Sequence, residues 1–167
     1  MQAQAQQELK VEDGSREHVR FWNALGTRRM LLGTETGGTF GLVKHDLPAH
    51  QLGSPIHTHA NEDEYSYVLS GRLTAQVGDE IVEAGPGDTL VKPRGIPHAF
   101  WNAGDEPVVF LELISPAGFE EYFFDLAGPL NAGDEAGMGE VVERYSLDLR
   151  METVPELLQQ HGLQPPY

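Results

Sequence analysis

Three histidines and one glutamate stand at spacings that suit the binding of a transition metal. His57 and His59 are separated by one residue, Glu64 follows a short polar segment, and His98 lies in a second segment rich in proline and glycine. Imidazole and carboxylate groups bind divalent Fe, Mn, Ni, Co, Cu or Zn in proteins. The sequence therefore predicts one divalent transition metal, its identity left open, held by these four side chains.

The expected strands explain how these residues come together. Residues two apart on a strand face the same side, so His57 and His59 share a face. The polar segment after His59 favours a turn that resets the register, and Glu64 then begins a strand-forming run. We expect Glu64 to reach the histidines from a neighbouring strand. His98 should arrive at the start of another strand, directly after a turn that contains two prolines and a glycine.

Other acidic and histidine side chains have simpler interpretations. Glu62 and Asp63, beside the expected ligand, are interpreted as a solvated acidic turn. A histidine pair separated by one residue is weak support for a metal site when it stands alone, and the joint spacing of both segments is what favours metal binding. Four histidines outside these segments are interpreted as surface residues or satisfied core residues: His18, His45, His50 and His161.

The two segments resemble the two signature motifs of the cupin superfamily. The positions that match are His57, His59, Glu64 and Gly71 in the first motif, and Gly87, Pro93, Gly95, His98 and Asn102 in the second. One departure is Gln51, where the first motif usually opens with glycine, and we interpret Gly53 as a shifted turn. The resemblance covers roughly residues 30–118 and implies a double-stranded β-helix, or jelly-roll barrel. It does not specify a reaction, because one scaffold hosts many activities.

The pattern of short runs and turns agrees with an all-β fold. The clearest hairpin joins residues 73–77 to 80–84, and residues 108–114 predict a strand buried on both faces. Further strands are expected at 21–25, 28–32, 39–46, 88–92 and 98–101. Short helices are expected at 119–126, ending near Gly128–Pro129, at 139–145 and at 154–160, with a loop at 131–139.

These elements predict one domain with two flanking segments. A flexible N-terminal arm is expected at 1–18, the barrel at 19–118, and a helical C-terminal extension packed on the barrel at 119–167. The resemblance implies a homodimer. Outward aromatic residues such as Tyr67 and Trp101 agree with it, since they leave apolar surface that one small barrel does not readily hide.

The charge and composition exclude several classes of partner. Eleven basic and 26 acidic residues give a formal net charge of −15, which argues against nucleic acids and anionic membranes. The absence of cysteine excludes disulfides and thiolate ligands. The start of the sequence does not have the pattern of a signal peptide, and no apolar stretch is long enough for a membrane span. We therefore expect a cytoplasmic protein whose partner is a small molecule.

The expected chemistry takes place in a pocket beside the metal. Ser66 and Val68 share the strand parity of Glu64, and Phe100 shares that of His98, so these three should face the cavity. The segments 36–40 and 115–120 are similar to those of small cupins described as quercetinase-like. This resemblance implies a dioxygenase acting on an enolic or aromatic oxygenated molecule, with Glu64 as ligand and base. A metal-dependent isomerase, lyase or decarboxylase, and a cupin that binds a small molecule without turnover, remain alternatives.

Overall fold

Two antiparallel sheets form the body of the protein in a computed structural model, which describes residues 10–165. The six-stranded sheet has the order β1 (His18–Arg20), β2 (Gly26–Leu31), β3 (Gly41–Leu47), β10 (Val108–Ser115), β5 (Asp63–Ser70) and β8 (Thr89–Lys92). The five-stranded sheet has the order β11 (Leu147–Arg150), β4 (Gln51–His59), β9 (His98–Asn102), β6 (Leu73–Val77) and β7 (Glu80–Ala84). The expected all-β jelly-roll architecture is confirmed.

The core lies between the two sheets and continues under the C-terminal helices. Val43 and Phe110 from the six-stranded sheet join Ala75 and Phe100 from the five-stranded sheet in one buried cluster. The central strand β10 alternates fully buried and half-buried residues, so the prediction of burial on both faces holds only in part. Its alternation follows from the period of two along a strand, with one face towards the core.

The segment before β2 differs from the expected strand at 21–25. This segment forms a turn, and Phe21, Ala24 and Leu25 bury their side chains in the core without joining a sheet. A flexible arm was predicted at 1–18, and its residues 1–9 lie outside the described residues. Its last residue, His18, begins β1, and Arg16 forms a salt bridge with Glu35 at 2.5 Å.

The helices after the barrel are α1 (Tyr122–Ala132), α2 (Glu135–Arg144) and α3 (Val154–His161), with single 3-10 turns at Phe119–Glu121 and Met151–Thr153. The expected end of α1 near Gly128–Pro129 is wrong, because the proline lies within the helix and Gly133 provides the left-handed C-cap. The expected loop at 131–139 is also wrong. Asp134 caps α2 by accepting a hydrogen bond from the amide of Gly137, so that helix begins earlier than predicted.

The C-terminal extension is not wholly helical. Strand β11 pairs antiparallel with β4, placing Leu147 opposite His59 and Leu149 opposite His57. Helix α3 then covers the outer face of the same sheet, where Leu157 packs in a second cluster with Trp101. Trp101 is 1% exposed, so it contributes nothing to the outward apolar surface expected from the sequence.

No helix within residues 10–165 combines the length and the apolar character that crossing a membrane requires.

Candidate metal centre

The four predicted ligands converge at one point inside the barrel. Each of His57, His59, Glu64 and His98 offers a ligand atom that lies within 4.8 Å of the ligand atoms of the other three. All four side chains are buried. Three imidazoles and one carboxylate in a buried cluster are a donor set for a divalent transition metal.

The four ligands come from both sheets, whereas the sequence predicted that Glu64 would lie on a strand next to the one that carries His57 and His59. Strands β4 and β9 are hydrogen-bonded neighbours, and His57 lies opposite His98. Glu64 comes from β5, which belongs to the other sheet. The turn after His59 therefore carries the chain from one sheet to the other, and the carboxylate faces the histidines across the barrel interior.

Backbone carbonyls orient two of the imidazoles. Nδ1 of His57 lies 2.9 Å from the carbonyl oxygen of Pro55, and Nδ1 of His98 lies 3.1 Å from that of Ile96. A protonated Nδ1 that donates to a carbonyl leaves Nε2 with the lone pair that a metal binds. Burial, together with the neighbouring imidazoles of His98 and His59, lowers the pKa of His57 well below its usual range, which keeps this ring neutral.

The third imidazole provides the strongest indication that a cation belongs here. Both ring nitrogens of His59 are buried without a hydrogen-bond partner among the described residues. Its Nδ1 lies 3.6 Å from a carboxylate oxygen of Glu62, and its Nε2 lies 3.5 Å from Oε1 of Glu64. Burial opposes a charge on this ring, yet the two carboxylates raise the pKa of His59 to about 9. The same carboxylates would stabilise a metal ion in place of that proton, so the residues present fit a divalent metal.

A buried lysine stands behind the carboxylate ligand. Nζ of Lys92 lies 3.1 Å from Oε2 of Glu64 and 2.9 Å from Oε2 of Glu112. Ser66 donates a second hydrogen bond to that oxygen of Glu112, at 2.8 Å. Burial by itself would raise the pKa of Glu64, but the positive charge of Lys92 and the contact with His59 hold it well below its usual range. Burial is also the main cause that raises the pKa of Glu112 to about 7.

The sequence did not reveal Lys92 and Glu112 as parts of this site. Register brings them there, because Lys92 lies opposite Glu64 and Glu112 lies opposite Ser66 on the two strands that flank β5. The available signal was Glu112 itself, a charge within the otherwise apolar run of β10. Charged residues are rarely buried without partners, so a charge within a core strand points to a hidden partner.

An apolar cavity of about 330 Å³ opens beside the centre, and His57 and Glu64 line its inner end together with Glu112. Phe100, predicted as pocket wall, is among the lining residues. Ser66 and Val68, also predicted to face the pocket, are fully buried and are not among them: Ser66 bonds to Glu112, and Val68 packs in the core. Apolar residues of α1 and of the 3-10 turn before it form another part of the wall: Phe119, Tyr122, Phe123, Leu126 and Leu130.

Gly53 does not form the shifted turn expected from the sequence. It lies within β4, at an irregularity of the pairing with β9. The ring of Phe100 occupies the space that a β-carbon at Gly53 would need. This glycine therefore lets an aromatic ring of the cavity wall lie flat against the strand that carries His57.

Comparison with known proteins agrees with this geometry. A family model described as "Cupin domain" matches residues 43–114, which include all four candidate ligands. This part of the chain is therefore similar to a cupin domain. No curated protein matches it in sequence.

Solved structures extend the likeness from the motifs to the fold. A sugar phosphate isomerase from Silicibacter pomeroyi is 25% identical, with a TM-score of 0.55 over 64% of this chain and 74% of that chain. A predicted oxalate decarboxylase from Thermotoga maritima is 20% identical, with a TM-score of 0.60 over 65% of this chain and 99% of that chain. KdgF from Halomonas sp. is 18% identical, with a TM-score of 0.55 over 64% and 92%. These likenesses show a shared fold and do not show a shared reaction.

Proposed function

We propose that this cupin is a metal-dependent oxidoreductase of the dioxygenase type that acts on a small enolic or aromatic oxygenated molecule. The observation that carries the proposal is the junction of the candidate metal centre with an apolar cavity, since His57 and Glu64 belong to both. A divalent transition metal bound there would supply a Lewis acid that polarises an oxygen atom of the substrate. The apolar walls suit an aromatic substrate and uncharged dioxygen.

The protein's own groups would position the substrate and hold its proton. The apolar cavity wall would limit the water around the reacting oxygen and so strengthen the electrostatic contacts to it. We propose Glu64 both as a ligand and as the acceptor of the substrate proton. Because the ammonium of Lys92 lies 3.1 Å from Oε2, Oε1 of Glu64 is the oxygen that would take this proton.

A metal-dependent isomerase, lyase or decarboxylase that uses no oxygen is the second candidate. Glu112 favours it, because a second carboxylate on the cavity wall with a pKa of about 7 suits proton exchange near neutral pH. The solved relatives described as an isomerase and a predicted decarboxylase share the fold. Binding without turnover is the third candidate, and the complete set of four ligands argues against it.

Metal analysis combined with an oxygen electrode separates these functions. The protein is purified without an affinity tag, its metal content is measured, and enols, flavonols and diketones are screened for oxygen uptake. We expect one metal per chain and oxygen uptake that matches the loss of substrate. Anaerobic turnover at the aerobic rate would overturn the dioxygenase proposal in favour of the second candidate.

Matched histidine variants test the site itself. His57→Ala should largely abolish metal retention and oxygen uptake. His50→Ala should leave both unchanged, because His50 lies outside the centre and contacts Asp105. Glu64→Gln should reduce turnover more than metal content, whereas His98→Ala should reduce both together. An unchanged metal content in His57→Ala would contradict the ligand assignment.

A further inference from the structure

Glu112 lines the cavity, and one of its carboxylate oxygens is buried without a hydrogen-bond partner among the described residues. Its Oε2 accepts hydrogen bonds from Lys92 and Ser66, whereas its Oε1 accepts none from any described residue. The side chain is 1% exposed and lines the cavity. A buried carboxylate oxygen without a partner is costly, so a molecule in the cavity gains affinity by satisfying it.

Glu112 is not one of the four candidate ligands, but Lys92 links its carboxylate to that of Glu64. Glu112 pairs with Ser66, two residues along β5 from the ligand Glu64. Diagonal neighbours on adjacent strands have α-carbons about 7–8 Å apart. One molecule of the size that the cavity accepts can therefore reach both the metal centre and Glu112, with a different group at each.

The charges around the cavity restrict the class of that molecule. None of the described lining residues is lysine or arginine, and Glu64 and Glu112 both contribute carboxylates. Lys92 is already bonded to these two carboxylates, and its Nζ lies 5.1 Å from the centroid of the Phe100 ring. A phosphate or carboxylate group on a ligand would meet no protein cation there, and an apolar wall disfavours any isolated charge.

We propose that the cavity binds an uncharged, largely apolar molecule that presents a hydroxyl group to Oε1 of Glu112. A hydroxyl group fits this position because it donates to a carboxylate and accepts from a carboxyl group. Glu112 then determines specificity for hydroxylated ligands at a point away from the metal. This inference rests on the proposed function, because the ligand occupies the same cavity. The ligand would be uncharged, unlike the phosphorylated sugar named for the sugar phosphate isomerase.

Three matched probes test this proposal by calorimetry without turnover: 4-propylphenol, its methyl ether 4-propylanisole, and the anion 4-propylbenzoate. Binding is measured on protein stripped with a chelator and on protein reloaded with metal. We expect the phenol to bind roughly tenfold to hundredfold more tightly than the ether, as for a hydrogen bond to a charged group. The benzoate should not bind detectably to the stripped protein.

Variants then assign the preference to Glu112. Glu112→Leu should bind the phenol and the ether equally, whereas Glu143→Gln, on the exposed face of α2, should keep the wild-type preference. Glu112→Gln preserves the shape of the side chain and should reduce the preference for the phenol over the ether. This variant replaces Glu112→Leu in the test if the leucine variant does not fold. Equal binding of phenol and ether to the stripped wild type, tighter binding of the benzoate to that protein, or binding of none of the probes would overturn the proposal. A failure of the proposed function would instead appear as missing metal-dependent turnover, with the phenol preference intact.

Discussion

Replacing Lys92 with methionine removes a buried cation while nearly preserving the side-chain volume. In the wild type, its ammonium lies 3.1 Å from Glu64 and 2.9 Å from Glu112, and no member of this group has a side chain more than 4% exposed. Breaking a buried ion pair by removing one partner typically costs about 3–5 kcal/mol. We expect Lys92→Met to lower the free energy of unfolding by about 3–5 kcal/mol at pH 8 in the metal-free protein.

This loss should depend on pH, because Glu112 can take up a proton. Its pKa is already about 7 with Lys92 present, and removing the cation raises it further above the ordinary value of 4.5, which applies to the unfolded chain. A carboxyl group whose pKa is raised on folding costs no stability below its unfolded pKa, and the cost grows until the pH reaches its folded pKa. Wild type and variant share this cost up to about pH 7, so the additional defect of the variant should be smallest below pH 7 and largest above it.

Urea unfolding followed by tryptophan fluorescence measures these differences. The double variant Lys92→Met/Glu112→Gln removes both charges of the pair, so it should be more stable than Lys92→Met alone by more than about 1 kcal/mol at pH 8. A Lys92→Met protein within about 0.5 kcal/mol of wild type, the range usual for substitutions at unconstrained surface positions, would refute this reasoning. So would a double variant that recovers nothing.

Three further predictions concern other parts of the fold. Burial lowers the pKa of His45 from 6.5 to about 3, so the free energy of unfolding should fall as the pH drops below 6.5, by at most roughly 5 kcal/mol. His45→Gln should make the free energy of unfolding, measured with urea, depend less on pH in this range. Gly53→Ala should lower the free energy of unfolding by about 1–3 kcal/mol, because the new methyl group displaces the Phe100 ring. Gly128→Ala should raise it by about 0.5–1 kcal/mol in the same assay, because this residue lies in α1 with open space for the methyl group. The protein should form a homodimer through the outward face of β5 and β8, where Tyr67, Leu69 and Val91 are exposed. Val91→Lys should halve the mass measured by light scattering, and a monomeric wild type would contradict this prediction.

The sequence predicted the parts of the site that depend on local spacing. The hairpin of β6 and β7 was confirmed with the expected bounds, because the Gly78–Asp79 turn fixes it. The clustering of His57 with His59 follows in the same way from their separation along one strand. Helix α3 was also predicted to within one residue, from a proline in its first turn and a glycine after its last.

The parts that escaped prediction depend on pairing between distant residues. Lys92 meets Glu64 and Glu112 only because β8 and β10 flank β5, and no local pattern specifies that order. Strand β11 was missed because its four residues, 147–150, follow a helix and carry two charges. Its partner strand decides its structure, since tertiary context outweighs local propensity in so short a segment.

The pairing of β11 with β4 joins two segments that are far apart in the order of synthesis. Strand β4 carries two of the candidate ligands, and one of its two neighbours is β11, which follows α2. Until residues 147–150 have emerged, β4 presents an open hydrogen-bonding edge that can pair with other chains. We therefore expect a nascent chain that ends before residue 146 to retain metal poorly and to aggregate, so that stable metal binding follows the synthesis of β11.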